Sequence, residues 1–159
     1  LNERGGLLSE RVLARLQEPA LRQIFLAWRE ARGYQALPRY TDVRTLLEPC
    51  RDHAFIAAID QEDGPPRVRF LSVGAALTRR LGRDLVGTDV ELAAVPADDL
   101  GTLASAYARC VRSRLPSHER ARLATGDGPP IRFERLILPV SRDGRTLSHL
   151  FGVALFDPP

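Results

Sequence analysis

An α+β fold, a five-stranded antiparallel sheet with helices against both faces, is what this chain predicts, and three observations carry that prediction. Asp-Gly pairs at Asp63-Gly64, Asp127-Gly128 and Asp143-Gly144 each separate two apolar, β-prone runs. Asp-Gly supplies the positive φ angles that tight hairpin turns require. The pairs join 55–60 to 67–74, 119–125 to 131–140, and 131–140 to 146–156. Between the first hairpin and the last three strands, apolar residues recur with helical rather than alternating spacing. The runs 55–59 and 150–156 are apolar at successive positions, as central strands covered on both faces are.

The N-terminal elements follow from spacing and punctuation. Leu8, Val12, Leu13 and Leu16 give residues 7–17 a helical stripe. Pro19 then opens a second helix at its first position, where the missing N–H costs nothing. That helix puts Leu21, Ile24, Phe25 and Trp28 on one face, and Gly33 caps its end. Residues 34–40 form a loop around Pro38. Thr41 or Asp42 caps a short helical turn through Leu47, stopped by Pro49.

Strands and middle helices come next. Residues 118–122 are charged at nearly every position, as suits an exposed edge strand. Arg67 and Arg69 mark the second strand as the other edge, so the first and last strands pair in the middle. Pro139 removes a ladder donor, which is compatible with an interior strand if the charged strand ends before reaching it. Residues 75–81 make a short helix ended by Gly82. After a loop through Gly87 and Pro96, Asp98 or Asp99 starts a longer helix that aligns Leu100, Leu103, Tyr107 and Val111 and ends before Pro116.

Composition narrows the function classes. A chain of 159 residues suits one domain, and 44% hydrophobic residues supply a core. No apolar run approaches the roughly twenty residues of a membrane span, and residues 1–6 lack the apolar core of a secretory signal, so the expected location is cytoplasmic. Cys50 and Cys110 belong to no metal or redox spacing and read as reduced, structural thiols. All basic residues are arginine, and they are scattered among 20 acidic residues for a net charge of +3. A nucleic-acid surface wants a concentrated stripe, so no nucleic-acid partner is expected.

The order of elements resembles a PAS domain, and short motifs agree. Gly82-Arg83-Asp84-Leu85-Val86-Gly87 is similar to the Gly-x-(Asp/Glu)-Leu-x-Gly segment that follows the first core helix in many PAS domains. Trp28, Gly33, Leu37-Pro38, Asp42, and Val68-Arg69-Phe70 leading to Val73-Gly74 resemble the stand-alone alphaproteobacterial PAS-5 type subfamily. The resemblance covers about residues 12–157. It implies a sheet of order 2-1-5-4-3, with helices between strands 2 and 3 and the N-terminal helices on the other face. Subfamily members often carry an arginine where Leu71 stands, so any contact such an arginine makes to a polar or anionic ligand is not expected here.

Motifs that carry chemistry are few in this chain. Gly82–Gly87 lacks the strand-loop-helix phosphate cradle of a nucleotide fingerprint and reads as a turn. His53, His118 and His149 have no ligand spacing, which argues against a metal. No serine, cysteine or carboxylate stands in a nucleophile motif. Haem-binding PAS members use a histidine on the long helix, and residues 98–115 contain none. The Asn-Cys-Arg-Phe run of flavin photoreceptors is absent. No cofactor is assigned.

The hairpin register defines a candidate site. A two-residue loop at Asp143-Gly144 sets Leu138 opposite His149 and Leu136 opposite Phe151, gathering Leu136, Leu138, Val140, Leu147, His149 and Phe151 on one side. That side is assigned to the middle helices, where PAS domains place their cavity. The expected wall is Phe70, Leu77, Leu81, Leu103, Tyr107, His149 and Phe151, suited to a small, largely apolar guest because no arginine is placed inside. His149 reads first as a core histidine bonded to backbone and second as a polar contact for the guest.

These readings amount to a non-enzymatic sensor or interaction module. At this length the chain holds no kinase, cyclase or DNA-binding domain, so its signal is expected to leave by contact with a partner protein. Residues 1–18 form an N-terminal helix suited to homodimerisation, and 19–159 a single PAS-like domain. The alternatives are a small α+β cavity enzyme, which would pair a histidine with a carboxylate in the cavity, and an interaction module with no ligand.

Overall fold

A computed structural model describes residues 3–62, 64–91, 103–123 and 127–158. Helix α1 (Glu3–Arg15) leads into α2 (Pro19–Arg32), with Pro19 in the first turn. Gly33 ends α2 at φ 54°, its N–H donating to the Arg29 and Glu30 carbonyls. The next turn departs from expectation. Helix α3 (Tyr40–Val43) begins after Arg39 without a side-chain cap, and Pro49 opens a 3-10 helix, Glu48–His53, instead of stopping one.

Strands β1 (Ala54–Asp60) and β2 (Arg67–Val73) form the first hairpin; Gly64 has φ 111°, and Asp63 lies outside the described residues. Helix α4 (Ala75–Leu81) ends at left-handed Gly82 as its sequence predicts. Strand β3 (Asp89–Glu91) follows. Helix α5 spans Leu103–Ser113; the start expected at Asp98 or Asp99, and Leu100 with it, lies outside the described residues. Strands β4 (Ser117–Leu123), β5 (Ile131–Ser141) and β6 (Leu147–Phe156) complete an antiparallel meander. Leu123 pairs with Ile131, so the turn holding Asp127-Gly128 is wider than two residues.

Among the described residues the sheet has six strands in the order β3-β2-β1-β6-β5-β4, which corrects the five-stranded sheet of order 2-1-5-4-3. The additional strand is β3, which pairs with β2, so β2 is not an edge. Arg69 is paired rather than merely solvated: its guanidinium meets the Asp89 carboxylate on β3 at 2.8 Å. β1 lies beside β6, as the two apolar runs require. β4 is the other edge, and its ladder begins with Ser117 opposite Ile137, so among the described residues no strand reaches Pro139 from that side. The Pro139 carbonyl instead accepts the Trp28 Nε1–H at 2.9 Å.

The β5–β6 register also differs. Leu138 faces Phe151 and Val140 faces His149, while Ser141 faces Leu147. Ser148 is thus an extra residue, and this bulge turns Leu147 toward the other core. Displacement by two residues keeps face parity, so Leu136, Leu138, Val140, His149 and Phe151 do share a side. That side faces the N-terminal helices. Leu21, Ile24, Phe25 and Trp28 of α2 pack there with Leu136, Leu138, Val140, Phe151 and Val153. Helices α4 and α5 cover the opposite face, over Phe55, Ala57, Val68, Phe70, Ile137, Leu150 and Ala154.

Candidate functional site

On the α4–α5 side the core does not close. A cavity of about 50 Å³ remains, walled among the described residues by Phe55, Phe70, Val73, Leu77, Leu81, Leu85, Tyr107, Phe133, Arg135, Ala154 and Phe156. Backbone devices aim these side chains. Gly152 pairs with Phe55 across β1 and β6; a Cβ there would lie 2.1 Å from the Phe55 ring. Its absence leaves room for that ring, which packs against Phe70 and Tyr107. The three rings meet edge to face, with centroids 5.5, 5.6 and 5.8 Å apart, the arrangement that the ring quadrupole favours.

The glycine segment after α4 positions part of the wall. The Gly87 N–H donates to the Phe70 carbonyl at 2.8 Å, and the Phe70 N–H to that of Thr88 at 3.1 Å. Asp84 Oδ1 accepts the Val86 N–H at 3.0 Å. These bonds tie the turn to β2 and set Leu81 and Leu85 at the wall. On α5, buried Ala106 and Ala108 flank Tyr107.

Arg135 is the polar feature of the wall. It is 3% exposed, and its guanidinium stands over the rings of Tyr107 at 5.3 Å and Phe133 at 5.7 Å. It also pairs with Glu119, directly opposite on β4, and Glu119 reaches Arg109 of α5 at 3.4 Å. Burial pushes the Tyr107 phenol up against the opposing pull of Arg135, so the hydroxyl stays protonated. Burial also raises the Cys110 thiol, which makes it a packing group rather than a nucleophile. The wall offers a guanidinium and a phenol, groups that orient a guest by hydrogen bonds.

Of the seven expected wall residues, the fold brings Phe70, Leu77, Leu81 and Tyr107 together. Leu103 opens α5, and its side chain lies outside the described residues. His149 and Phe151 are corrected to the other face: Tyr40 packs against His149 with the rings tilted at 51° and 4.7 Å apart, and meets Phe151 edge-on at 5.4 Å. Ser148 Oγ lies 2.8 Å from His149 Nδ1. Burial, with help from Arg142, lowers the His149 pKa. The expectation that no arginine lies inside is corrected by Arg135. Strand alternation held the signal, because Phe133, Arg135 and Ile137 are in phase on the face opposite Leu136 and Leu138.

A histidine–carboxylate pair does exist, on the helix side. His118 Nε2 lies 2.8 Å from Glu134 Oε1, both side chains 6% exposed. Glu134 also accepts the Gln17 N–H at 2.8 Å and the Glu18 N–H at 3.0 Å, just before α2, where a carboxylate complements the helix dipole. Burial works against its charge, but these donors hold the carboxyl below its ordinary pKa. Among the described residues no group of three or more His, Cys, Asp or Glu is placed to hold a metal, and no helix is long and apolar enough to cross a membrane.

The PAS domain family model, of the PAS-5 type, matches residues 16–155. Similar solved structures include the PAS domain of Bordetella pertussis BvgS, 14% identical over 66% of this chain and 74% of that one, with TM-score 0.41. A fungal LOV domain photoreceptor linking blue light and oxidative stress is 14% identical over 69% and 77%, with TM-score 0.42. An RNA-binding Light-Oxygen-Voltage receptor is 15% identical over 94% of this chain, with TM-score 0.43, and the match spans 52% of that receptor. No curated protein matches the chain.

Proposed function

This chain belongs to the PAS domain family, and from that premise we propose that it is a non-enzymatic, cytoplasmic sensor that takes a small, largely apolar ligand and signals through protein contact. PAS domains are generally sensory or interaction modules. The observation that carries the ligand is the unfilled space between the sheet and α4–α5, with apolar walls and Arg135 and Tyr107 to orient a guest. Its volume, about 50 Å³, is a third of the roughly 150 Å³ that admits benzene, which limits the guest to a few heavy atoms. The signalling surface is α1, with Leu7 60% exposed; it serves homodimerisation, while residues 19–159 form the sensing domain.

Native mass spectrometry of the purified protein reads ligand and assembly together. A dimer with a small bound mass is expected, the mass disappearing in Leu81→Trp, which fills the cavity from its wall, and the dimer in Leu7→Glu. No bound mass, together with no response of pocket amides to pressurised xenon, would overturn the sensor in favour of an interaction module without a ligand.

A further inference from the structure

We infer that a groove on the helix side of β4 and β5 is a binding site for a phosphate dianion, free or as the head of a small phosphomonoester. The site is separate from the pocket and does not depend on it. Arg122 on β4 faces Arg132 on β5 across the ladder, and Arg120 is in phase with Arg122. Like charges at facing positions, with Cβ atoms about 5 Å apart, destabilise a strand pair. All three arginines are exposed, and they line a groove of about 260 Å³ beside the α1–α2 junction.

The acid positioned to relieve them is otherwise engaged. Glu134 faces Arg120 directly, yet its Oε1 takes the Gln17 N–H and His118, and its Oε2 the Glu18 N–H. Among the described residues, none of the three arginine side chains forms a hydrogen bond or ion pair. The remaining acids on the groove are Glu18 and Asp157. Guanidinium groups bind phosphate oxygens in pairs of parallel hydrogen bonds, and facing arginines present two such forks to one anion. A tetrahedral dianion suits three forks better than a carboxylate, which has only two oxygens to share. The N-terminus of α2 adds a favourable field from the same side.

The test is an NMR titration of the whole chain with inorganic phosphate and, separately, phosphoserine, at ionic strength held constant with sodium chloride. Saturable one-to-one binding is expected, with the largest shifts at residues 120–122 and 132–134. Arg122→Gln and Arg132→Gln should each weaken binding at least tenfold, and each should raise the melting temperature without phosphate by removing the facing charge. Arg79→Gln, on the exposed side of α4, should change neither. Phosphoserine binding as phosphate does assigns a monoester ligand; phosphate alone assigns the free ion. Shifts reproduced by chloride, equal weakening by Arg79→Gln, or no saturation would overturn the site.

Discussion

The two faces of the sheet are built from neighbouring residues and behave differently. His118 and Glu119 are adjacent on β4, Glu134 and Arg135 on β5, and strand alternation sends one of each pair to either side. On the helix side His118 and Glu134 fasten the backbone that enters α2, and Trp28, Phe25, Leu138 and Phe151 fill the layer. On the other side Glu119 pairs with Arg135, whose guanidinium stands over the rings of Tyr107 and Phe133, and the layer keeps its cavity. The hydrogen-bonded pair closes a helix junction; the ion pair furnishes the wall of a pocket. Ligand sites live where packing is left incomplete, because filled cores have no room to exchange a guest.

The largest expected effect comes from the filled side. Trp28 is 1% exposed and bonds Pro139, so Trp28→Ala should cost about 3–5 kcal/mol in urea unfolding. A variant as stable as wild type would show that α2 is not part of the core.

Adding volume should separate the faces directly. Leu138→Phe, in the solid layer, should cost about 1–3 kcal/mol from overpacking. Leu77→Phe, beside the cavity, should stay within about 1 kcal/mol of wild type. Equal costs would mean that the two layers are equally packed.

The junction pair gives a pH signature. The Glu134 carboxyl is held below its ordinary value in the folded state, so its stabilisation is complete above the unfolded pKa of about 4.3 and is lost as pH falls through the folded value. Glu134→Gln should cost about 1–3 kcal/mol at pH 7, and its deficit should shrink as pH falls toward 3. A deficit independent of pH would remove the carboxylate from the account.

His149 should give the smallest effect. Its lowered pKa means that stability is full above the unfolded value of about 6.5 and declines as pH falls below it. His149→Leu should flatten the urea midpoint between pH 7 and 5 and leave pocket occupancy unchanged. Loss of the bound guest in that variant would place the ligand on the wrong side of the sheet.

Much of this was legible in the residues themselves. Pro19, Gly33 and Gly82 mark helix ends through backbone rules that act within a few residues, and each marks one here. The adjacency of β1 and β6 follows from apolar runs that tolerate no solvated face. β3 was not legible, because Asp89–Glu91 is short and polar and becomes a strand only by pairing with β2. Arg135 was legible in principle, since its phase with Phe133 and Ile137 follows from alternation alone.

By itself, the sequence determined which residues share a face along an unbroken strand, because side-chain direction repeats every two residues whatever covers it; the bulge at Ser148, which sends Leu147 to the other core, left no such mark. The sequence determined the order of the elements other than β3 and the 3-10 helix, and the family, for the same local reason: turns, caps and periodicity are encoded within short windows. Only the tertiary structure decided which helices cover which face. That choice moved His149 and Phe151 from the expected pocket to the α2 layer, and it admitted Arg135 to the wall in their place. Layer assignment depends on how whole helices fit against the twisted sheet and on contacts such as Trp28 with Pro139, 111 residues apart. Packing over that separation leaves no local mark in the chain.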